Sequence, residues 1–282
     1  MAVYCMSDVH GHLQELQECL EKVQFRPGAD ELYLLGDYID WGPDSIGTLQ
    51  FIRFLKNKYP EHIHCLMGNH EELMFKTISE RRLDVADVWL NGNHGDHTLA
   101  QYQMLVPEEQ SKIREFLESL EYGVDIVVEG KRYLLAHAFP YFDDPAKDQR
   151  LIKHIALWKR LKFSDNPFER MLEYYPERAG ERFDKFIFGH TLTSTFYEQQ
   201  LVEERLQGSR PRISQTDYGA YRAALGSNIV YANSYMINID CGGKCIGLFQ
   251  NGNQKLREEA KYARLAILRL NDRAVFYSGA DV

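Results

Sequence analysis

The stretch GDYIDWGP, residues 36–43, directly follows the apolar run ELYLL of residues 31–35. A short apolar run of this kind is typical of a buried strand, and glycine with proline predicts a tight turn after it. A turn does not require two aspartates three residues apart beside a tryptophan. The stretch therefore predicts a buried strand followed by a loop whose aspartates belong to a functional site.

Other short apolar runs have the same character, and helical periodicity separates them. Leu13, Leu16 and Leu20 share one helical face, and further helices are predicted after Pro43 and Pro107. The C-terminal third instead contains hairpin patterns, which add antiparallel strands. We therefore predict an α/β fold with mixed sheets, packed face to face and flanked by helices. The other predicted strands are AVYCM (2–6), IHCLM (63–67), YLLAHA (133–138) and FIF (186–188).

The bulk composition limits the classes of function. A chain of 282 residues with 44% hydrophobic residues and no Pro/Gly/Ser linker predicts one domain, residues 1–282, with a probable insertion at about 196–227. Its net charge of −8 disfavours nucleic acid and anionic lipid as partners. Without a basic, apolar leader or a long apolar segment, we expect a cytoplasmic protein with no membrane contact. The five irregularly spaced cysteines predict reduced thiols rather than disulfides.

Polar clusters follow five of the predicted strands. They are SDVHG (7–11), GDYID (36–40), GNHE (68–71), the strand-terminal His137 and GHT (189–191). Because ligands of open α/β sheets bind beyond the carboxyl ends of the strands, these side chains are expected at one rim.

The side chains at this rim are suited to metal binding. They offer oxygen and imidazole without thiolate, which suits Mn²⁺ best and also Fe or Zn²⁺. The set is large enough for two divalent ions that share a carboxylate. Asp8 and His10 are two residues apart, so both project to the same side of a strand end. Each motif alone is weak, whereas their joint occurrence at strand ends predicts a dinuclear site.

These motifs together resemble the calcineurin-like metallophosphoesterases, and specifically the bacterial branch of the serine/threonine phosphoprotein phosphatases. The resemblance runs from residue 7 to about residue 243, and WLNG (89–92) and LWKR (157–160) are similar to the phage-type enzymes of that branch. It implies the calcineurin-like metallophosphoesterase fold, a mixed β-sandwich flanked by α-helices. It also implies hydrolysis of phosphate esters by in-line attack of a hydroxide that bridges the metals. The implied metal ligands are Asp8 and His10 for the first ion, Asp37 as the bridge, and Asn69, His137 and His190 for the second ion.

The resemblance also implies roles for three further residues. His70 would be the general acid, which agrees with the useful titration range of imidazole, and Asp40 would hydrogen-bond and orient it. Arg160 would bind the phosphate through its forked guanidinium. A turn-capping Asp40 and a solvated Arg160 are the structural alternatives.

Two positions depart from the family pattern. Trp41 stands where the family usually has an arginine that binds phosphate, and Met67 stands where many bacterial members carry another arginine. Trp41 either offers a flat face to an aromatic group or nucleobase, or packs at the rim.

Several functions are compatible with these motifs. We expect a serine/threonine phosphoprotein phosphatase whose partner is a phosphorylated protein or a small phosphorylated metabolite. The alternatives are a symmetrical dinucleoside tetraphosphate hydrolase, a phosphodiesterase and a non-catalytic binding module. The last is disfavoured because all six ligand positions are filled. The sequence indicates no oligomeric state.

Overall fold

The computed structural model describes residues 1–207, 228–247 and 259–279, and in these ranges the strands form two five-stranded sheets. Five strands lie where short apolar runs predict them, although the strands predicted at 63–67 and 133–138 each end two residues early, at Cys65 and Ala136. In chain order the strands are β1 (Val3–Met6), β2 (Glu31–Leu34), β3 (Ile63–Cys65), β4 (Gly123–Val128), β5 (Lys131–Ala136), β6 (Lys185–Phe188), β7 (Tyr231–Ala232), β8 (Met236–Asn238), β9 (Ala266–Arg269) and β10 (Ala274–Tyr277).

Both sheets are mixed. The first has the order β10-β9-β1-β2-β3, in which β1, β2 and β3 are parallel and β9 and β10 form an antiparallel hairpin. The second has the order β4-β5-β6-β8-β7, in which β5, β6 and β8 are parallel. Its outer pairs β4–β5 and β7–β8 are antiparallel. The hairpins predicted in the C-terminal part of the chain are therefore confirmed.

The two sheets pack face to face. Val3 and Cys5 of β1 belong to one buried apolar cluster with Leu135 of β5 and Ile187 of β6. Alternate residues of β1 point to the opposite face of its sheet, because side chains in a strand alternate. This alternation lets each sheet bury one face against its partner and the other against helices, so the predicted sandwich is confirmed.

Helices cover both outer faces. The first six pack in one cluster on the outer face of the first sheet, and the last three contribute to a second cluster on the second sheet. Asp44 caps the second helix by accepting the amide proton of Gly47 at 2.9 Å, and Pro107 starts the sixth. The helices are α1 (Leu13–Lys22), α2 (Ser45–Lys58), α3 (Asn69–Ile78), α4 (Leu83–Gly92), α5 (Gly95–Gln103), α6 (Pro107–Glu118), α7 (Gln149–Trp158), α8 (Pro167–Met171) and α9 (Thr193–Leu206).

The parallel strands bring their following loops to one edge of the sandwich. The amide of Asp8, after β1, donates to the carbonyl of Gly36, after β2, at 3.1 Å. Across the two sheets, the amide of His190, after β6, donates to Oδ1 of Asp8 at 3.1 Å. The edge is therefore built from loops of both sheets.

The start of the insertion predicted at 196–227 is helical, because α9 extends to Leu206. Residues 208–227 lie outside the described residues, so the insertion itself remains a prediction. Within the ranges that the structure describes, no helix combines the length and apolar character needed to cross a bilayer.

Candidate metal centre

Several residues in the loops at this edge have a left-handed backbone conformation, which residues other than glycine seldom adopt. Asp8, His10, Asp37 and His190 have φ angles of 55°, 47°, 56° and 64°. Left-handed backbone at non-glycine residues costs free energy and concentrates at functional sites. Close backbone approach adds a steric requirement at Gly189, where a Cβ atom would lie 1.9 Å from Oδ2 of Asp8. The loops are thus shaped to hold particular side chains together.

One group of side chains comes from the first sheet. His10 Nε2 lies 3.9 Å from Asp8 Oδ1 and 3.7 Å from Asp37 Oδ2. His10 Nδ1 lies 2.9 Å from the carbonyl oxygen of Ile39, to which it donates in the neutral tautomer. The lone pair of Nε2 then faces the two carboxylates, as in metal sites where a carbonyl fixes the histidine tautomer.

A second group combines both sheets. The other oxygen of Asp37, Oδ1, lies 3.4 Å from His137 Nε2. His137 Nε2 and His190 Nδ1 each lie 2.9 Å from Oδ1 of Asn69, and the two ring nitrogens are 3.2 Å apart. His137 Nδ1 lies 2.9 Å from the carbonyl of Leu35, which again directs the lone pair of Nε2 inward. The structure therefore brings together all six ligands predicted from the sequence, with Asp37 between the two groups.

This donor set fits two cations. Every one of the six side chains is at most 6% exposed, so water cannot solvate their charges and lone pairs. Burial and the nearby charges of Asp240 and Asp37 raise the pKa of Asp8 well above its usual range. Burial also raises the pKa of Asp37, but His137, His70 and His10 outweigh it and hold that pKa well below its usual range. Cations between these groups would compensate the carboxylates and satisfy the converging lone pairs.

His70 and Asp40 form a buried pair beside the first group. His70 Nδ1 lies 2.6 Å from Asp40 Oδ2, and the two residues are 5% and 1% exposed. Burial lowers the pKa of His70, but the carboxylates of Asp37 and Asp40 outweigh it and raise that pKa to about 9. His70 Nε2 lies 3.9 Å from Asp37 Oδ2, so the ring nitrogen opposite Asp40 faces the ligand groups. This arrangement can hold a proton on Nε2 and direct it into the centre.

The three positions expected to contact phosphate differ from one another. Arg160 is exposed, and its Nη1 donates to the carbonyl of His190 at 3.0 Å and to Thr191 Oγ1 at 2.8 Å. Met67 is 4% exposed and belongs to the apolar core, so its position is closed to a charged group. Trp41 is half-buried and packs against His94 in a tilted arrangement, with ring centroids 3.9 Å apart and 36° between the ring planes. Among the described residues, no hydrogen-bond partner reaches the indole Nε1 of Trp41.

Sequence reasoning missed Lys244, in the 3₁₀ turn Gly243–Cys245 that packs against the backbone of Asp8. Burial lowers the pKa of His190 well below its usual range, and the charges of His137, Arg160 and Lys244 lower it further. Burial raises the pKa of Asp240, and Lys244 and Arg160 oppose that rise. Two cationic side chains therefore lie near the centre, Arg160 at His190 and Lys244 in the turn beside Asp8. A lone lysine after a strand carries no motif that would have identified it.

A second missed residue, Glu71, is fully buried and organises the loops. Its Oε2 accepts the amide protons of Asp37 at 2.8 Å and Gly68 at 3.1 Å, and its Oε1 accepts that of Tyr38 at 2.8 Å. One carboxylate thus ties the loop after β2 to the start of α3. Its position three residues after a helix-starting glycine is a capping pattern that could have identified it.

Comparison with known proteins gives a family and several relatives. A family model for calcineurin-like phosphoesterases matches residues 1–194. A symmetrical bis(5'-nucleosyl)-tetraphosphatase from Erwinia tasmaniensis is 42% identical over 71 residues, which is 25% of this chain and 24% of the relative. The aligned region therefore spans about a quarter of that relative's length.

Solved structures share the fold at low sequence identity. A protein serine/threonine phosphatase from Saccharomyces cerevisiae has a TM-score of 0.57 and 13% identity, covering 100% of this chain and 81% of that one. A cold-active protein-tyrosine phosphatase of a psychrophilic Shewanella species has a TM-score of 0.52 and 16% identity, covering 99% and 80%.

Proposed function

Because the chain belongs to the calcineurin-like phosphoesterase family, we propose that it is a metal-dependent phosphoesterase that hydrolyses phosphoserine and phosphothreonine in proteins. The observation that carries the proposal is the convergence of six buried ligand side chains beside the His70–Asp40 pair. The family and the ligand groups support metal-dependent ester hydrolysis, and the choice of substrate follows from the residues around the centre.

The metal ligands divide between two ions. Asp8, His10 and one oxygen of Asp37 would hold the first, and the other oxygen of Asp37 would hold the second with the remaining ligands, Asn69, His137 and His190. When bound, two divalent ions such as Mn²⁺ supply Lewis acidity toward a phosphoryl group and toward the attacking water.

The presence of His70 as a positioned acid favours substrates whose leaving group is an alkoxide. Serine and threonine alkoxides are strong bases and depart readily only when an acid protonates them, so a positioned acid matters most for such esters. His70 holds its proton on Nε2, facing the centre, while Asp40 accepts the proton on Nδ1. Asp40 thereby keeps the ring oriented and stabilises its charged form, as carboxylates do for other catalytic histidines.

Cationic side chains for the phosphate come from two loop positions, Arg160 after α7 and Lys244 in the turn Gly243–Cys245. Trp41 and Met67 stand at positions where relatives carry arginine, so among the described residues Arg160 and Lys244 are the cationic side chains that lower the pKa of His190 after burial and His137. Arg160 uses only Nη1 in hydrogen bonds to described residues, which leaves Nε and Nη2 for phosphate oxygens. Charge-assisted contacts of this kind are roughly twice as strong as neutral ones.

A second candidate is hydrolysis of dinucleoside tetraphosphates. The half-buried indole of Trp41 lies in the loop of Asp40 and presents an aromatic surface on which a nucleobase could stack. The curated relative named as a symmetrical bis(5'-nucleosyl)-tetraphosphatase favours the same candidate. The leaving group in dinucleoside tetraphosphate hydrolysis is a nucleoside polyphosphate, which needs protonation by an acid less than an alkoxide does.

Parallel assays with Mn²⁺ test the two candidates. The purified protein is offered a phosphoserine peptide, diadenosine tetraphosphate and an aryl phosphodiester, with Asp37→Asn as the inactive control for contaminating enzymes. We expect the highest kcat/KM on the phosphopeptide. A higher value on the tetraphosphate would reverse the order of the candidates. Cleavage of none of them by metal-loaded protein would refute an enzymatic function and favour a binding module.

A further inference from the structure

The carboxylate of Asp40 accepts more hydrogen bonds than its pairing with His70 requires. Its Oδ2 also accepts from the indole Nε1 of Trp89 at 2.8 Å, and its Oδ1 accepts from Thr98 Oγ1 at 2.6 Å. Ser45 Oγ lies 2.9 Å from Thr98 Oγ1 and accepts the backbone amide of Asp40 at 2.9 Å. Donors on both oxygens fix the plane of the carboxylate, which otherwise rotates freely about its terminal bond.

Trp89 and Thr98 belong to α4 and α5, which lie outside the two sheets. Both side chains are fully buried, and Trp89 is the one buried residue of α4. Gln101 of α5 ties this segment to the Asp40 loop, because it accepts the amide of Ile46 at 3.0 Å and donates to the carbonyl of Pro43 at 2.9 Å. Helices α4 and α5 thus contact the candidate metal centre through Asp40.

Gly95 also restricts the position of the Trp89 indole. A Cβ atom at Gly95 would lie 2.4 Å from Trp89 Nε1, so only glycine leaves room for the ring in its present place. A buried indole N–H usually needs a hydrogen-bond acceptor, and both oxygens of a buried carboxylate need donors. The contact between Trp89 and Asp40 satisfies the indole, and together with Thr98 and His70 it satisfies both oxygens of Asp40.

We infer that Trp89 and Thr98 are positioning residues, which hold the Asp40 carboxylate in the plane that aims His70 at the leaving oxygen. The inference rests on the proposed function, in which His70 protonates the leaving group. Removal of either donor should leave the metal ligands in place but let Asp40 turn and His70 tilt. The loss should therefore appear only where protonation of the leaving group limits the rate.

The test compares two esters in the Mn²⁺-loaded full chain. Trp89→Phe keeps a ring without the donor, and Thr98→Val keeps the shape without the hydroxyl. We expect kcat on a phosphoserine peptide to fall about tenfold in either variant, and kcat on p-nitrophenyl phosphate, whose leaving group needs little acid, to fall less than about twofold. Thr48→Val is the matched control, since it removes a buried hydroxyl that donates to the carbonyl of Asp44, away from Asp40. Equal losses on both esters, or no loss on either, would overturn the inference.

A second readout does not depend on activity. In metal-free protein, the His70 Nδ1 proton lies in a 2.6 Å hydrogen bond and should give a far-downfield proton resonance, assigned by its absence in His70→Asn. We expect this signal to shift or broaden in Trp89→Phe and Thr98→Val and to stay unchanged in Thr48→Val. If the wild type cleaves neither ester, the proposed function fails. The resonance then decides the positioning alone, and an unchanged signal in both variants refutes it.

Discussion

Replacement of Trp41 by arginine tests how the centre recognises phosphate. Trp41 follows Asp40 in a loop where both residues have left-handed backbone, with φ angles of 69° and 66°. The substitution preserves this backbone requirement, because neither side chain is β-branched. It introduces a guanidinium at the residue that follows Asp40 and removes the indole, which packs against His94 with ring centroids 3.9 Å apart. The variant therefore gains a cation and loses an aromatic face.

The size of the effect follows from two opposing contributions. Charge-assisted hydrogen bonds from the new guanidinium to a phosphate dianion should stabilise the complex by about 1.5 to 3 kcal/mol. Ordering the long arginine side chain costs about 1.5 to 2 kcal/mol. The difference of about 0.5 kcal/mol between the centres of these two ranges corresponds to a fall in KM of about twofold for a phosphomonoester.

Steady-state kinetics with Mn²⁺ measure the fall in KM on p-nitrophenyl phosphate. The KM for diadenosine tetraphosphate, measured in the same way, reports the loss of the aromatic face. Trp41→Met is the control, because it removes the indole without adding charge. An unchanged KM for the monoester in Trp41→Arg would refute the idea that position 41 faces the phosphate. A fall of equal size in Trp41→Met would assign the effect to the missing ring instead of the new charge.

Three further outcomes are expected. His70→Asn should lower kcat on a phosphoserine peptide by about 100-fold or more with metal content unchanged, and equal losses of both would contradict its role as acid. Arg26 donates to the buried Asp30 at 2.9 and 2.7 Å and lowers its pKa to about 2, so this stabilisation is present above pH 4 and lost as the pH falls toward 2. Asp30→Asn should thus lower the free energy of unfolding by about 1 to 2 kcal/mol at pH 7 and by about half as much at pH 3, as urea titrations of metal-free protein can measure. A difference independent of pH would argue against the ion pair. Removal of metal by a chelator should lower Tm, and restored Mn²⁺ should raise it with concentration, whereas a Tm indifferent to metal would speak against the two-ion centre.

The sheets and the ligand groups could be predicted because both are encoded locally. Asp8, Asp37 and His190 each follow an apolar run by two or three residues, and parallel strands bring such positions to one edge. Hydrophobic periodicity likewise located α1, α2 and α6. For these elements, neighbouring residues carry enough information to fix the structure.

The surroundings of the centre could not be predicted in the same way. Trp89 and Thr98 reach Asp40 from 49 and 58 positions away, and their contact depends on how α4 and α5 pack. The packing of Trp41 against His94 depends on a left-handed backbone at His94, with a φ of 58°, which no local pattern requires. Packing between distant segments decides these contacts.

The division of the ligands between two sheets has a consequence for biogenesis. Asp8 and His190 are 182 positions apart in the chain, although the amide of one contacts the carboxylate of the other. A ribosome adding about 5 to 20 residues per second needs roughly 10 to 40 s to cover that distance. For much of this interval the emerging polypeptide carries Asp8, His10 and Asp37 without His137 and His190. The complete set of proposed metal ligands exists only once His190 has been synthesised, so the proposed centre could bind its ions through all six side chains only late in translation or after it.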